Sequence, residues 1–217
     1  MSFGGQGTES IMRKIINSTY ITLDGAIEDP HLWPSLGSVA EEASYAIQND
    51  LLHACDALIM GRRTYNSFAA VWPTRSGDSF SDRINAMRKF VVSTTMGSPT
   101  WQNTTVIREN LIDVLRTMKQ QPGRDILQYG LGRVSFAMLE HRLIDEIRLW
   151  IHPLILGRRG PSLPHFIGCP PVRLHLCDTR VLANGISVMS YRVDYVSVEA
   201  PRRGLQQAVE AATMGGV

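Results

Sequence analysis

Cysteine is scarce in this chain. Cys55, Cys169 and Cys177 are odd in number, with no Cys-x-x-Cys pair and no histidine at zinc-ligand spacing beside them. Neither a disulfide framework nor a structural metal is suggested, and the three read as buried or surface thiols. Long apolar runs are lacking too: none approaches the roughly 20 residues a membrane helix needs. The opening MSFGGQGTES has no basic region followed by an apolar one, so the expected location is cytoplasmic, with no membrane partner. Net charge is only +2, and the basic residues are scattered apart from Arg62-Arg63, Arg158-Arg159 and Arg202-Arg203, which argues against nucleic acid as a partner. A length of 217 residues suits one domain with tails. The division expected is a disordered tail over 1–11, a single domain over 12–196 and a flexible tail over 197–217, where a short helix at Leu205 to Ala212 is the alternative.

What is present is an alternation of strands and helices. Arg13 to Leu23 reads as a long central strand whose Asn17, Ser18 and Thr19 form a polar end, and Asp24-Gly25 closes it with a turn. A proline-bounded loop, Glu28 to Pro34, carries His31 and Trp33. Ser38-Val39-Ala40-Glu41 has the form of a capping box opening a helix to about Cys55, with Ala43, Ala46, Ile47, Leu51 and Ala54 as its apolar stripe. Ala57 to Met60 is a fully apolar strand, suited to a sheet covered on both faces. It runs into Gly61-Arg62-Arg63-Thr64-Tyr65, a strand-to-helix turn offering a glycine, two guanidinium groups and a hydroxyl, hence a candidate phosphate site. Asn66 to Asp82 reads as a surface loop, Arg88 to Ser93 and Thr105 to Ile107 as strands, and Glu109 to Lys119 as an amphipathic helix carrying Leu111, Val114, Leu115 and Met118.

The stretch Asp125 to Gly160 reads as a βαβ unit. Ile126 to Tyr129 is a strand, Gly130-Leu131-Gly132 a tight turn, Arg133 to Arg142 a helix, and Glu146 to His152 a strand alternating Ile147, Leu149 and Ile151 against Arg148, Trp150 and His152, which puts one face in a core. Backbone N–H groups in such a turn approach a ligand closely, and the helix N-terminus favours phosphate. Gly130-x-Gly132-x-x-Ser135 is one residue short of the dinucleotide fingerprint, and the strand-end acid is replaced by His152-Pro153, so a turn needed only for geometry is the competing reading. After an irregular Pro161 to Pro171, strands at Val172 to Cys177 and Ile186 to Tyr195 flank Asn184-Gly185, a hairpin signal.

In order along the chain, Ser18 to Gly25, Met60 to Tyr65, Val91 to Thr95, Leu143 to Glu146 and Pro153 to Gly157 resemble the dihydrofolate reductase-like family that includes the reductase domain of bacterial bifunctional riboflavin deaminase-reductases. The resemblance spans about Met12 to Tyr195. It implies an α/β fold: a mostly parallel sheet flanked by helices, with an antiparallel C-terminal hairpin. It implies NADPH as cofactor, with Gly61, Arg62, Arg63 and Thr64 near the adenosine phosphates, Ser93 and Thr94 at the adenosine end, and Gly130, Leu131, Gly132 and Arg133 at the pyrophosphate and nicotinamide-side ribose. Hydride transfer to a small heterocyclic or carbonyl-like substrate, such as a pterin or pyrimidine, and a homodimer follow from it. Asp24 is the first catalytic candidate and a plain turn aspartate its alternative; Trp33 is the second. True dihydrofolate reductases carry an acidic residue facing the pteridine from the first helix, where this sequence is read to offer Ala43, Ala46 and Ile47, so folate is not the expected substrate; Glu41 and Glu42 are the candidates to substitute for that carboxylate, with the capping box as the competing reading of Glu41. The deaminase signature His-x-Glu with Pro-Cys-x-x-Cys is absent. A nucleotide-binding protein without redox turnover is the alternative function, and a flavin or deazaflavin cofactor a third.

Overall fold

The computed structural model describes residues 12–157 and 168–195. The expectations for 1–11, 161–167 and 197–217 lie outside the described residues. Eight strands form one sheet in the order β4-β3-β2-β5-β1-β6-β8-β7. Six run parallel: β1 (Ile15–Thr22), β2 (Cys55–Gly61), β3 (Arg88–Val92), β4 (Thr104–Ile107), β5 (Asp125–Tyr129) and β6 (Glu146–His152). β7 (Arg173–Val181) and β8 (Ser187–Asp194) form the expected hairpin, β8 antiparallel to β6. Gly185 makes the hairpin turn possible with φ of 83°, a left-handed conformation that glycine adopts without steric cost.

Strand alternation sorts the core into two layers. Ile16, Leu58, Met60, Val91 and Leu127 face one side, where Leu51 and Leu52 of α1 (Glu41–Ala54), Tyr65 of α2 (Arg62–Ala69) and Ile84 of α3 (Ser79–Ala86) cover them. Their neighbours Ile15, Ala57, Ile59, Ile126 and Ile147 face the other, under Leu115 and Met118 of α4 (Leu111–Gln120) and Met138 and Leu139 of α5 (Arg133–Glu140). The central strands are apolar at consecutive positions because both faces need cover.

Several expectations are corrected. Ser38 does not cap α1: its carbonyl, not its hydroxyl, accepts from the Glu41 N–H at 3.0 Å, and Ala40 occupies the cap position. Of the expected α1 stripe, Ile47 and Leu51 are buried, joined by Leu52, whereas Ala43, Ala46 and Ala54 are exposed. The segment read as a loop from Asn66 to Asp82 contains the end of α2, a 3-10 turn at Trp72–Thr74 and the start of α3. The overlooked signal was Asp78, whose carboxylate accepts from the N–H groups of Phe80 and Ser81, both at 3.0 Å. α5 stops at Glu140, two residues early, because Arg142 turns left-handed with φ of 58°. In β6 both faces are covered, so Trp150 and His152 are buried along with Ile147. Asn17, Ser18 and Thr19 are not a polar strand end but buried residues inside β1.

Lys89 of β3 is fully buried. Its ammonium donates to the carbonyls of Asn85 (2.8 Å) and Met87 (2.7 Å) and lies 4.5 Å from the centre of the Trp101 ring, with no carboxylate bonded to it among the described residues. Burial pushes its pKa down to about 8. The unfolded chain, with an ordinary lysine, therefore binds more protons between about pH 8 and the usual lysine range near 10.4, and stability must rise with pH across that window. Chemical denaturation of the wild type and Lys89→Met at pH 7 and pH 10 measures this. Relative to the methionine variant, the wild type gains stability at the higher pH; equal shifts in both proteins would refute the assignment.

Candidate active site

The carboxyl ends of the six parallel strands share one edge of the sheet, and the turns that leave it carry the residues singled out by sequence. Ligands of open α/β sheets bind at this edge. Gly61 ends β2 and α2 begins at Arg62; Gly130 follows β5 and α5 begins at Arg133. The two turns touch. A Cβ on Gly130 would stand 2.9 Å from the Thr64 hydroxyl, and one on Gly61 would stand 3.6 Å from a Val134 methyl. Arg62 donates to the Thr95 hydroxyl at 2.7 Å, which ties α2 to the loop after β3. In that loop the Ser93 hydroxyl accepts from the Met96 N–H at 3.1 Å, and Thr94 is exposed. Arg63 points elsewhere, pairing with Glu28 and Asp29. Arg133 is exposed, and Leu131 is buried, so only its backbone is available to a ligand.

Beneath the second turn lies a buried polar cluster. The Gly130 carbonyl accepts from Asn17 Nδ2 (2.7 Å), Gln128 Nε2 (3.0 Å) and Ser135 Oγ (3.1 Å). Asn17 Nδ2 also donates to Gln128 Oε1, Gln128 Nε2 to Ser135 Oγ, and Thr19 Oγ1 to Asn17 Oδ1. Ser135 Oγ further accepts from the Gly132 N–H at 3.3 Å, half of a capping box in which glycine has no side chain to return. Burial of these groups is tolerated because they bond one another. Sequence reading missed this cluster; its signal was a Gln inside the apolar Ile126-Leu127-Gln128-Tyr129 and an Asn in the centre of β1.

Asp24 closes the turn after β1. One carboxylate oxygen accepts from Thr22 Oγ1 (2.6 Å) and the other from the N–H groups of Leu156 (3.1 Å) and Gly157 (3.0 Å), fastening the segment that follows β6. The Thr22 hydrogen bond, first among its influences, lowers its pKa. Trp33 is buried, with Nε1 donating to the Glu28 carbonyl at 2.9 Å and its ring edge-to-face with His152, ring centres 5.1 Å apart. His152, at the end of β6, also packs against Tyr20 with ring centres 4.8 Å apart. Burial lowers the His152 pKa and pushes Tyr20 up to about 12. Its Nδ1 lies 3.0 Å from the Trp150 carbonyl, so in the neutral ring that nitrogen carries the proton.

A cavity of about 360 Å³ opens beside this edge, between α1, the loop before α3 and the hairpin turn. Glu41, Ser44, Tyr45 and Gln48 reach it at the 3-4-7 spacing of one helical face. Trp72 and Arg75 face them, the guanidinium 5.4 Å from the indole centre, and Asn184 contributes from the hairpin. The first-helix residues that look into the cavity are therefore polar, one of them a carboxylate, and not Ala43 and Ala46. Among the described residues no group of three or more His, Cys, Asp or Glu is placed to hold a metal ion, and no helix is long and apolar enough to cross a membrane.

Residues 13–188 match the family model described as the RibD C-terminal domain. The uncharacterized protein YyaP of Bacillus subtilis (strain 168) is 26% identical over 191 residues, covering 82% of this chain and 94% of that protein. Among solved structures, a pyrimidine reductase-like protein from Corynebacterium diphtheriae is similar with a TM-score of 0.54 at 15% identity, over 85% of this chain and 93% of that one. A diaminohydroxyphosphoribosylaminopyrimidine deaminase/5-amino-6-(5-phosphoribosylamino)uracil reductase from Thermotoga maritima gives 0.55 at 13% identity, over 84% of this chain and 57% of that longer one. These structures establish the fold: a mixed sheet, mostly parallel, with an antiparallel C-terminal hairpin.

The two glycines of the second turn separate stability from ligand access. Gly130 has φ of 84° and the Thr64 hydroxyl against it, whereas Gly132 is extended with open space around it. Gly130→Ala is expected to cost about 1–3 kcal/mol in urea denaturation. Gly132→Ala should stay within about 0.5 kcal/mol of the wild type. Equal losses would show that the turn is not held as described.

Proposed function

This chain belongs to the RibD C-terminal domain family, and from that premise we propose that it is an NADPH-dependent reductase acting on a small heterocyclic or carbonyl-like substrate. The observation that carries the reading is the convergence at one sheet edge of two glycine turns, each opening a helix, with Arg62 and Arg133 beside them. The residues present fit a dinucleotide. Gly132 leaves open space for a close approach, the first-turn N–H groups of α2 and α5 lack intrahelical acceptors, and two guanidinium groups supply positive charge. Arg62 would hold the 2′-phosphate through its planar fork, with Gly61 and Thr64 beside it. Gly130, Leu131, Gly132 and Arg133 would take the pyrophosphate and the nicotinamide-side ribose, and Ser93 and Thr94 the adenosine end. Arg63, paired with Glu28 and Asp29, would steady the loop over the site from outside it.

When bound, NADPH supplies a hydride to an electrophilic carbon of the substrate, while the adjoining heteroatom takes a proton. The protein must align the two, exclude water and admit that proton. The cavity under α1 would hold the substrate. Its volume falls in the range of small-molecule sites, Trp72 gives a ring something to stack on, and Glu41, Ser44, Gln48 and Asn184 offer both donors and acceptors to a heterocycle edge. Asp24, with its carboxylate held by three donors, would position the ends of β1 and β6, and Trp33 would pack over His152. A single domain over 12–196, a cytoplasmic homodimer pairing through the hairpin, where Leu176 and Val181 are exposed, completes the reading. A binding protein without turnover is the other reading, favoured by the occupied carboxylate of Asp24.

Fluorescence titration with NADPH and NADH tests the cofactor. The wild type should prefer NADPH, and Arg62→Ala should lose about tenfold to a hundredfold in NADPH affinity with NADH nearly unchanged. Failure of the wild type to bind either dinucleotide would sink the proposal. Anaerobic incubation of the NADPH complex with pterins and pyrimidine ribosides then separates the readings, since sustained loss of nicotinamide absorbance requires an acceptor.

A further inference from the structure

A second cavity lies on the α1 side of the sheet, away from the strand-end edge. It has a volume of about 260 Å³, several times that of one water molecule, and sits between α1 and the strands β6, β8 and β7. Its floor follows from strand register: Arg148 stands opposite Ser190, and Ser190 opposite Asp178. Arg180 comes from the next cross-strand row, and Ile47, Leu51 and Val188 give the cavity apolar walls. Asp50, at the α1 side, is exposed to solvent.

Arg148 is the anomaly. Its Nε is buried and makes no hydrogen bond among the described residues. The two carboxylates that act on it most through space are engaged elsewhere: Glu146 accepts from Lys14 Nζ at 2.7 Å, and Asp178 from Arg180 Nε at 3.2 Å. Burial, the largest influence on Arg148, lowers its pKa, as happens when a cation loses water without gaining a counter-ion. An unpaired buried donor of this kind is costly, and a guanidinium in the middle of a sheet needs an acceptor.

We propose that this cavity is a binding site for a small organic carboxylate, distinct from the dinucleotide edge. The carboxylate meets the Arg148 fork, the Ser190 hydroxyl and Arg180 stand beside it, and the carbon body lies against Ile47, Leu51 and Val188. Carboxylate is favoured over a bare inorganic anion because Ile16, Ile47, Leu51, Ala54 and Val188 line the cavity beside its charged groups and the guanidinium fork is planar. The inference does not depend on the reductase reading.

Butyrate and benzoate, titrated at constant ionic strength against chloride, test it. Thermal unfolding of the wild type should rise with either carboxylate and saturate, because a ligand bound only to the folded state stabilises it. Arg148→Met, a replacement of similar volume that leaves the fold standing, should show no such rise. Ser190→Ala should keep the fold and weaken the midpoint by about tenfold. Arg62→Ala should respond like the wild type, which excludes binding at the strand-end edge. In the wild type the Arg148 Nε–H resonance should move in parallel with the titration. An unmoved resonance, a response to chloride of equal size, or an equal response from Arg148→Met overturns the proposal.

Discussion

The Gly130 carbonyl is the point on which the candidate site depends. Three buried side chains from β1, β5 and α5 donate to this one oxygen, and each is further bonded to another member of the group. Residue 130 has to be left-handed to present its carbonyl inward, which glycine does without steric cost. Once that carbonyl is fixed, the following residues have little choice of path, and α5 starts where its free N–H groups face the sheet edge. A half-satisfied version of this cluster would cost more than an apolar core, so the cluster and the turn stand or fall together.

The turn also fixes its neighbour. The Thr64 hydroxyl occupies the space where a Cβ on Gly130 would stand, so the first turn of α2 and the β5–α5 turn pack side by side only with glycine at 130. Arg62 carries the constraint on to the loop after β3 through Thr95. That loop is anchored deep in the core, where the Tyr65 hydroxyl accepts from the N–H groups of Thr100 and Trp101 and the Trp101 indole donates to Asn85. Three turns that are far apart in sequence are thereby held in one geometry before any ligand arrives. Such preorganisation lowers the ordering cost of binding an extended molecule.

Much of this was legible in the residues. The order of the strands, the two glycine turns and the Asn-Gly hairpin follow from alternation and turn chemistry that act over a few residues, and the structure repeats them nearly position by position. What was not legible depends on burial. Asn17, Gln128 and Ser135 look like ordinary polar interruptions until the fold places them together under Gly130. Ser38 has the residue type of a cap, but the chain arrives with its carbonyl and not its hydroxyl turned toward Glu41. Ile47 and Leu51 of the expected α1 stripe do enter the core, joined by Leu52, but its alanines lie outside, and Glu41, Ser44 and Gln48 face the cavity. A stripe of small residues does not specify a helix orientation when larger apolar side chains lie one position away.

The same orientation bears on the chemistry. Asp24 is held in place as an anion: its pKa is lowered by the Thr22 hydrogen bond, and both of its oxygens accept hydrogen bonds. Its contribution is to keep the segment after β6 against the end of β1, where His152, Tyr20 and Trp33 close the floor of the site. Those rings exclude water but bring no readily exchanged proton, since burial holds His152 neutral and Tyr20 protonated near neutral pH. The side chains of Glu41 and Arg75 face the cavity without a hydrogen bond among the described residues. On the proposed reading, recognition of a substrate is separated in space from the two glycine turns: charge and hydrogen bonding toward a substrate would come from α1 and the loop before α3, and alignment of a dinucleotide from α2 and α5. If that reading holds, one face of α1 can be altered to change the substrate while the Gly130 cluster stays untouched.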